Sequence, residues 1–517
     1  MISKKAVKDF LNRDLDDWSC VKDLSELEIW EELDCELPED FTFKTPPWKH
    51  QAASFICGLH NQNFIFFLDM GLGKSLLVIQ IMALYEQKQA LKGRTLIIAP
   101  NEVGISSWEE QIEEHSCFKY TSLLGTQEEK WSLLETSKDP VFIISYDGLV
   151  AMVTSLIKIK GDEKGRRKRK PVDKLIKKLS KYFQALILDE LHLCKNPKSL
   201  NFRLGNQISK NCDFRYGLTG TPFGRKPIDL WAQFYLIDRG ETLGNTLGLF
   251  REAYFNKKGN GFGYDWVFDS KKEKKLHKVM RHRSIRYAEE ELDSMPPKVY
   301  KTIKVPFSSE AYQYYEIAHA DLLESQGNYQ MLKNSFMRKR QIVAGYVDFK
   351  DEEDDRHRIV FKSNPRLDAL MDYLEGIPFK AKALIFVEFT PSGDLIEECL
   401  KKKKIKYERL YGGTKDKVAA KTAFIKDPKC KVFLANSKSG GVNLNLQVAD
   451  YEIFYESPVS PIVRAQAEKR APRGEKTKTT FITDIIVKNS VDEDVLDFIK
   501  EGKNLFDALV EGKKVSK

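Results

Sequence analysis

Residues 64–77 read FIFFLDMGLGKSLL, and the interpretation of the whole chain starts from them. The continuous apolar run 64–68 is typical of a strand that is buried on both faces of a parallel sheet. Gly71 and Gly73 predict a tight turn, and a helical pattern begins at Leu76. A strand, a glycine-rich turn and a helix in this order form a cradle, in which backbone N–H groups converge on an anion at the helix N-terminus.

Two side chains of this stretch indicate what the cradle holds. Lys74 is placed to reach the β- and γ-phosphates of a nucleotide, and the Ser75 hydroxyl is placed to ligate Mg²⁺. The match to G-x-x-x-x-G-K-[ST] is incomplete, because Leu68 stands where the first glycine is expected. At this point the alternative is a tight turn between a strand and a helix, with Lys74 in water.

Length, charge and cysteine content narrow the class of protein. The 517 residues predict two to four globular domains, and the net charge of +9 permits an anionic partner without proving one. The eight cysteines include no C-x-x-C pair, which argues against a disulfide framework and structural zinc and favours a reducing compartment. No apolar run approaches the roughly 18 residues of a membrane span, so a cytosolic protein without a membrane partner is expected.

Charged residues are unevenly distributed along the chain. Residues 1–44 are acidic and carry short amphipathic segments, which predicts a small helical accessory element. A self-inhibiting mimic of DNA is one hypothesis for it, and a solvated helical face is the default. Lysine and arginine cluster at 164–170, 271–286 and 401–406. For the first cluster a solvated loop, a nuclear address and a phosphate-contacting finger all remain open.

Further buried strands are predicted at 94–99, 141–146, 184–189 and 214–218. The strand at 184–189 is followed by Glu190, so that Asp189 and Glu190 lie at the carboxyl edge of the sheet, where open α/β sheets bind ligands. We expect Asp189 to hold Mg²⁺ through water, and Glu190 to orient and deprotonate the attacking water. Capping of the next helix is the alternative role. Upstream, the Gln51 amide both donates and accepts, which suits an adenine edge.

The pattern changes in the second half of the chain. Residues 239–361 form long, aromatic-rich helical segments, and a second α/β series follows with strands at 382–387, 431–435, 451–455 and 480–486. On a helix, Gln466 and Arg470 share one face, and Arg473 lies one turn further on. Two arginines that project towards a nucleotide are the arrangement of arginine fingers. A basic helix face in water is the alternative.

The ordered set of motifs resembles superfamily 2 helicases, and within them the Snf2-like branch, over about residues 45–510. WKHQ (48–51) resembles the Q motif, and MGLGKS (70–75) resembles motif I. AP (99–100) with Trp108 resembles motif Ia, and SY (145–146) resembles motif Ib. DELH (189–192) resembles a DExH box, and LTGTP (218–222) resembles motif III. IFV (385–387) resembles motif IV, GGVNLNL (440–446) motif V and residues 466–473 motif VI. The box reads DELH where DEAH or DEGH is commoner, and motif VI continues Arg473-Gly-Glu-Lys instead of Arg-Ile-Gly-Gln.

The resemblance implies an α/β fold of two RecA-like parallel-sheet lobes, at 45–238 and 362–517, with helical insertions between them at 239–361 and the accessory element 1–44 in front. It implies ATP and Mg²⁺ in a cleft between the lobes, with Glu190, Asp189 and Lys74 acting from the first lobe and Arg470 and Arg473 from the second. The implied roles of the other site residues are nucleotide binding for Gln51, Gly71, Gly73, Ser75 and Gln466, coupling for Thr219 and Thr221, and nucleic-acid contact for Pro100, Tyr146, Gly440, Gly441 and Asn443.

The expected function is that of a DNA-dependent ATPase that walks on duplex DNA and remodels forks or junctions, by branch migration or fork regression. The small insertions look like those of a bacterial or bacteriophage motor of replication, recombination or repair, in the cytoplasm of the bacterium or infected host, or in the nucleus of a eukaryote. The alternatives are a motor that displaces proteins from DNA and a nucleotide-switched DNA clamp with little turnover. Translocation polarity, oligomeric state and preferred DNA structure stay open.

Overall fold

The structure is a computed structural model that describes residues 3–158, 167–220, 227–259, 264–292, 298–324, 329–350, 355–411, 414, 416–437, 446, 448–468, 479–497 and 499. The described residues divide into two compact units, one within Met1–Leu292 and the other within Asp293–Lys503. Each unit is built on its own parallel sheet.

The first unit contains a seven-stranded sheet whose strands pair in parallel in the order β11-β1-β8-β7-β2-β4-β3. These strands are β1 (Asn63–Leu68), β2 (Arg94–Ala99), β3 (Tyr120–Ser122), β4 (Val141–Ser145), β7 (Phe183–Asp189), β8 (Phe214–Leu218) and β11 (Ser284–Tyr287). Two separate antiparallel hairpins are formed by β5 (Thr154–Lys158) with β6 (Arg167–Pro171), and by β9 (Phe255–Gly259) with β10 (Tyr264–Phe268).

The helices of this unit are α1 (Lys4–Leu11), α2 (Glu26–Glu36), α3 (Lys49–His60), α4 (Lys74–Gln87), α5 (Glu102–His115), α6 (Gln127–Thr136), α7 (Tyr146–Val153), α8 (Asp173–Leu179), α9 (Leu200–Ser209), α10 (Leu230–Asp238), α11 (Leu247–Tyr254) and α12 (Glu273–Met280). Short 3₁₀ turns occur at Trp18–Asp23, Leu191–Cys194, Pro227–Asp229, Ser270–Lys272 and Glu289–Glu291. β1 has parallel partners on both sides, and α3 and α10 pack against it. This enclosure is why the run 64–68 is apolar at every position.

The second unit contains a six-stranded parallel sheet in the order β12-β19-β18-β15-β17-β16. Its strands are β12 (Lys298–Val305), β15 (Lys382–Val387), β16 (Tyr407–Leu410), β17 (Val432–Asn436), β18 (Ala449–Phe454) and β19 (Thr480–Val487), and β13 (Tyr346–Lys350) pairs with β14 (Arg356–Val360) as a hairpin. Its helices are α13 (Ser309–Glu324), α14 (Tyr329–Ala344), α15 (Pro365–Gly376), α16 (Thr390–Lys402), α17 (Lys417–Lys426) and α18 (Pro461–Ala467).

The expected fold class, two parallel-sheet α/β lobes with helical segments between them, is confirmed. Every strand predicted for the two sheets is present, with ends that differ by at most two residues. The main difference lies in the region expected to be helical, because β11 and β12 occur there. Both are edge strands of their sheets, and β11 is only four residues long. Its pairing with β1 is a long-range contact that local propensity does not encode.

Residues 3–44 are an integral layer of the first unit. Phe10 belongs to the main hydrophobic cluster and packs edge-on against Tyr254. Phe41 and Phe43 contact Phe55 of α3. Acidic residues of this segment meet the basic stretch 271–286, with Asp17 Oδ2 3.3 Å from Arg281 Nη1. The accessory element is therefore fixed to the unit by apolar burial as well as by charge.

The segment 337–345 packs into the core of the second unit. Ile342 and Val343 are buried in a cluster with residues of α13 and β19. Arg340 is also buried, and its guanidinium donates to the Ser457 carbonyl over 2.6 Å. Within the described residues, no helix has both the length and the apolar character needed to cross a membrane.

Candidate active site

The turn between β1 and α4 adopts the backbone shape that the glycines predict. Gly71 and Gly73 have φ values of 89° and 79°, in the left-handed region that side chains with a Cβ rarely adopt. Gly73 is also the residue that precedes α4, and among the described residues no side chain caps this helix start. The first N–H groups of a helix carry a partial positive charge, so the turn presents a site for an anion.

Gln51 lies directly against this turn. Its side chain is buried, its Oε1 accepts from the Trp48 N–H over 2.9 Å, and its Nε2 donates to the Leu72 carbonyl over 3.2 Å. A Cβ on Gly73 would collide with the Gln51 amide, which is a second reason for glycine at that position. The structure thus brings Gln51 to the phosphate loop, as its place in the sequence predicts, with the amide engaged by backbone groups.

Lys74 and Ser75 are the first two residues of α4. The Lys74 ammonium donates to the Leu68 carbonyl over 2.9 Å and to the Asp69 carbonyl over 3.2 Å. It therefore curls back over the turn that it follows, at the carboxyl end of β1. Ser75 is half-buried in the first turn of the helix.

The acidic pair follows β7, as predicted. Asp189 is buried, its Oδ2 accepts from the Trp108 indole over 3.0 Å, and its Oδ1 accepts from the Glu190 N–H over 2.9 Å. Glu190 has a φ of 48° and a ψ of 53°, a left-handed conformation that is uncommon for a residue with a side chain. This turn points the chain away from the strand immediately after the carboxylate pair.

Glu190, His192 and Thr219 form a buried triangle of polar groups. The Nδ1 atom of His192 lies 3.1 Å from Glu190 Oε2 and 3.1 Å from Thr219 Oγ1. The Thr219 hydroxyl also donates to Glu190 Oε2 over 3.4 Å. Burial raises the pKa of Glu190, but the hydrogen bond and charge of His192, with the charge of Lys74, outweigh it, and the pKa ends below its usual value of 4.5. Glu190 is thus held as a carboxylate at neutral pH.

Sheet order explains why these groups meet. β1, β8 and β7 are adjacent and parallel, so their carboxyl ends lie side by side at one edge. The phosphate loop follows β1, Glu190 follows β7, and Thr219 follows β8. A phosphate cradle and an ionised carboxylate at one edge are the parts that a nucleotide hydrolase needs.

The structure adds residues that the sequence did not single out. Asp69 is buried beside the phosphate loop, and its Oδ1 lies 2.9 Å from Arg286 Nη2 of β11. Its Oδ2 accepts from the Glu289 N–H over 3.2 Å. Asp69 directly precedes the Met-Gly-Leu-Gly turn, and Arg286 ends the basic cluster 271–286. The two lie more than 200 residues apart, and the sequence gave no signal that they pair.

Tyr146 lies in the interior of the first unit. It was expected to contact nucleic acid, but its ring is buried in the main hydrophobic cluster, and its hydroxyl donates to the Asp189 carbonyl over 3.0 Å. Trp108, named with the motif that holds Pro100, is likewise buried and bonded to Asp189. Both aromatic residues hydrogen-bond to Asp189, and the nucleic-acid role of Tyr146 stays a prediction. Pro100 is half-buried and directly follows β2.

Several predicted residues cannot be placed. Gln466 belongs to α18, of which the structure describes the backbone at that position. The predicted site residues that lie outside the described residues are Thr221, Gly440, Gly441, Asn443, Arg470 and Arg473. Their roles stay predictions.

The donor set at the sheet edge suits Mg²⁺. Ser75 offers a hydroxyl and Asp189 a carboxylate, and Mg²⁺ prefers such oxygen ligands together with water and phosphate oxygens. The hydrogen bonds from Trp108 and from the Glu190 N–H fix the orientation of the Asp189 carboxylate. Orienting bonds of this kind are what metal-binding carboxylates usually receive. Ser75 and Asp189 are thus the residues that would hold the ion.

Comparison with known proteins adds family information. A family model described as an SNF2-related domain matches residues 48–350, and a model described as a helicase conserved C-terminal domain matches residues 365–475. The similar curated proteins include the SWI/SNF chromatin-remodeling complex subunit snf22 of Schizosaccharomyces pombe, 27% identical over 477 residues, covering 86% of this chain and 27% of that protein. Another is the uncharacterized ATP-dependent helicase MG018 of Mycoplasma genitalium, 26% identical over 465 residues, covering 87% and 40%.

The chain spans about a quarter to two fifths of the length of the curated relatives it matches. Among solved structures, the Sulfolobus solfataricus SWI2/SNF2 ATPase core in complex with dsDNA is similar, with 18% identity, a TM-score of 0.40, and coverage of 92% of this chain and 95% of that one. The first family model alone accounts for more than half of the 517 residues. The chain therefore belongs to the SNF2-related family.

Proposed function

We propose that this protein is a DNA-dependent ATPase that uses the energy of hydrolysis to move along duplex DNA. The observation that carries the proposal is the buried, ionised Glu190, held by His192 and Thr219 at the sheet edge where Lys74 and the phosphate loop also lie. Buried charged groups with perturbed pKa values cluster at functional sites, which favours a chemical task for Glu190. Membership of the SNF2-related family supports ATP as the substrate and DNA as the partner.

Each side chain of the edge has a separate role in this proposal. The backbone of the glycine turn and the Lys74 ammonium bind the phosphates, and Ser75 with Asp189 holds Mg²⁺, which when bound neutralises charge on the phosphate oxygens. Glu190 orients the attacking water and accepts its proton. His192 and Thr219 fix the rotamer of Glu190 and keep its pKa low. Gln51, whose Nε2 donates to the Leu72 carbonyl of the loop, also belongs to the proposed nucleotide site.

The finer form of the proposal is the remodelling of branched DNA, by branch migration or fork regression, in replication, recombination or repair. The two matched family models, an SNF2-related domain over 48–350 and a helicase conserved C-terminal domain over 365–475, support DNA as the object of the motor. We expect a protein with such a substrate to occur in a bacterial or phage-infected cytoplasm, or in a nucleus.

Two alternatives have specific support. The relatives include subunits of chromatin-remodelling complexes, which favours a motor that displaces proteins from DNA. A nucleotide-switched clamp with little turnover would need only binding. The preformed triangle of Glu190, His192 and Thr219 argues against the clamp, because a binding site alone has no use for an ionised base.

The test is steady-state ATP hydrolysis with no nucleic acid, single strands, linear duplex and a four-way junction, at matched nucleotide concentration. The strongest stimulation by the junction supports remodelling of branched DNA. Equal stimulation by plain duplex supports the general translocase and favours protein displacement as the task. Stimulation by RNA or single strands alone contradicts the proposal. A hydrolysis rate that no nucleic acid raises contradicts any role as a DNA-dependent motor.

A further inference from the structure

The hairpin β9–β10 stands apart from both parallel sheets. Its two strands pair only with each other, through the register Phe255↔Phe268 to Gly259↔Tyr264. An isolated two-stranded ribbon is marginally stable in water, so it needs an anchor. Phe255 provides it, since this ring is buried and contacts both Phe250 and Phe268 edge-on at 5.5 Å.

Beyond this anchor the hairpin is exposed and carries aromatic side chains. The rings of Tyr264 and Trp266 are neighbours on one face, with centroids 5.7 Å apart. Tyr264 is 54% exposed, so a large part of its ring is open to solvent. A single exposed ring is common on protein surfaces, so its neighbours decide whether it marks a contact site.

Cations lie against the same face. Lys257 is opposite Trp266 in the register, and its ammonium is 4.9 Å from the Trp266 ring centre and 5.3 Å from that of Tyr264. The Arg251 guanidinium is 6.0 Å from the Trp266 ring centre, and among the described residues its buried Nε has no hydrogen-bond partner. Two cations thus lie near the Trp266 ring, while more than half of Tyr264 is exposed to solvent.

The surroundings of the hairpin are basic on balance. Lys258 is exposed on the other face, and exposed lysines continue past the hairpin at Lys271, Lys274 and Lys278. The acidic groups over the same stretch are Glu252, Asp265, Asp269 and Glu273. Glu252 pairs with Lys257 over 2.8 Å, and Asp269 lies 4.0 Å from Lys272. An anionic polymer with exposed flat rings complements this combination of positive charge and an open aromatic ring.

We propose that the face formed by Tyr264, Trp266, Lys257 and Arg251 binds single-stranded nucleic acid, with an unpaired base stacked on Tyr264. A duplex hides its base faces within its own stack, so only an unpaired base can use the ring. The lysines contact the neighbouring phosphates, and Trp266 holds Lys257 and Arg251 in position. This site is separate from the nucleotide site, because the hairpin is not part of the sheet that carries the phosphate loop.

The experiment measures binding of an oligothymidine strand and of an abasic strand of equal length, by fluorescence anisotropy at fixed salt without ATP. Tyr264→Ala is expected to weaken oligothymidine binding by about fivefold to 100-fold, the usual effect of losing one stacking ring. Its affinity for the abasic strand is expected to match that of the unmodified protein. Tyr264→Phe keeps the ring and should retain the affinity.

The matched control is Tyr312→Ala, because Tyr312 of α13 is 51% exposed but lies in a helix with few cations. It is expected to leave both affinities unchanged. Equal affinities for Tyr264→Ala and the unmodified protein would overturn the proposal. An equal loss on both strands would also overturn it, since the hairpin would then act through charge alone. The assay measures binding and not hydrolysis, so it tests the single-strand site even if the proposed ATPase function is wrong.

Discussion

At the scale of single residues, Glu190 has the clearest chemical assignment. Replacing Glu190 with Gln keeps the size and the hydrogen-bond acceptor but removes the negative charge that accepts a proton. We expect ATP binding to persist and turnover to fall by about 10²- to 10⁴-fold, the usual contribution of a general base. Equilibrium binding of a labelled nucleotide and steady-state phosphate release measure the two properties on one preparation.

Glu113→Gln is a suitable control for that substitution, because Glu113 lies on α5 with its carboxylate in an exposed hydrogen bond to Tyr120. It should leave hydrolysis unchanged. A Glu190→Gln variant that still turned over ATP at the unmodified rate would remove Glu190 from the role of base.

His192 gives a prediction about pH. Burial raises the pKa of Glu190, and the bond and charge of His192 are the main effects that lower it. In His192→Ala the effect of burial therefore dominates and the pKa of Glu190 rises. Glu190 is then protonated at a higher pH than in the unmodified protein. We expect the acid limb of the kcat profile to move to higher pH, measured between about pH 4 and 8 at saturating ATP.

Thr219→Val removes a weaker and longer bond to Glu190, of 3.4 Å, and should shift the acid limb in the same direction by less. An unchanged acid limb in His192→Ala, with kcat lowered at every pH, would mean that His192 acts on turnover without acting on the base.

Residue patterns predicted part of this site and not the rest. Lys74 and the acidic pair follow buried strands, so parallel-sheet geometry alone brings them to one edge. The burial of Tyr146 was not predictable from its motif, because it depends on β4 and β7 lying on either side of β2. The pair of Asp69 and Arg286 depends on a strand contact between distant segments, which one sequence does not reveal.

At the scale of elements, β11 is tied to the phosphate loop by a buried ion pair. The side chains of Arg286 and Asp69 are 10% and 2% exposed. Arg286→Met leaves the buried Asp69 carboxylate without its cation, and loss of one partner of a buried pair costs about 3–5 kcal/mol. We expect that loss in the free energy of unfolding of the first unit, followed by tryptophan fluorescence in urea, because all seven tryptophans lie before residue 293.

The double variant Asp69→Asn/Arg286→Met removes both charges and should recover part of the stability. Arg281→Met is the comparison, since Arg281 is 45% exposed in its pair with Asp17 and such pairs contribute within about 1 kcal/mol. Equal effects of Arg281→Met and Arg286→Met would show that the buried pair has no special weight.

The amino-terminal segment makes a second prediction at this scale. Phe10 of α1 is buried against Tyr254, and Arg13 donates to the Thr242 carbonyl over 2.7 Å. Phe10→Ala should destabilise the first unit by about 3–5 kcal/mol, the usual cost of truncating a buried ring. Leu27→Ala on α2, at a side chain 68% exposed, should change stability little. The same urea titration measures both variants.

This packing also changes how the hypothesis of a DNA mimic must be tested. Deletion of residues 1–44 would remove Phe10, Phe41 and Phe43 from apolar contacts, so a change in turnover would mix inhibition with instability. Asp17→Asn is the better probe, because it weakens the pair with Arg281 without removing a ring. Inhibition by the acidic segment predicts higher DNA-stimulated turnover in that variant.

At the scale of the whole molecule, two sheet-based units with one preformed phosphate loop were predictable, since the strand runs and their order are local signals. Which strands belong to each sheet was not fully predictable, because β11 and β12 are edge strands whose partners lie far away in the chain. The proposed contribution of the second unit to hydrolysis rests on Arg470 and Arg473, which lie outside the described residues.

We expect Arg470→Ala and Arg473→Ala each to slow DNA-stimulated hydrolysis by about 10³-fold or more, the effect of losing an arginine that stabilises charge on the transferred phosphoryl group. Single-turnover phosphate release measures this step directly. Lys402→Ala, in an exposed pair with Glu398 on α16, is the control and should leave the rate unchanged. Small effects at both arginines would assign them to DNA or structural contacts.

The position of β1 within its sheet has a consequence for synthesis of the protein. Both neighbours of β1, β8 and β11, come later in the chain, and β11 ends about 220 residues after β1. At about 5–20 residues per second, the ribosome delivers β11 roughly 10–45 s after β1. For that interval the phenylalanine-rich strand has an open edge, which is a template for aggregation. We therefore expect the strand that leads into the phosphate loop to be prone to aggregation during synthesis.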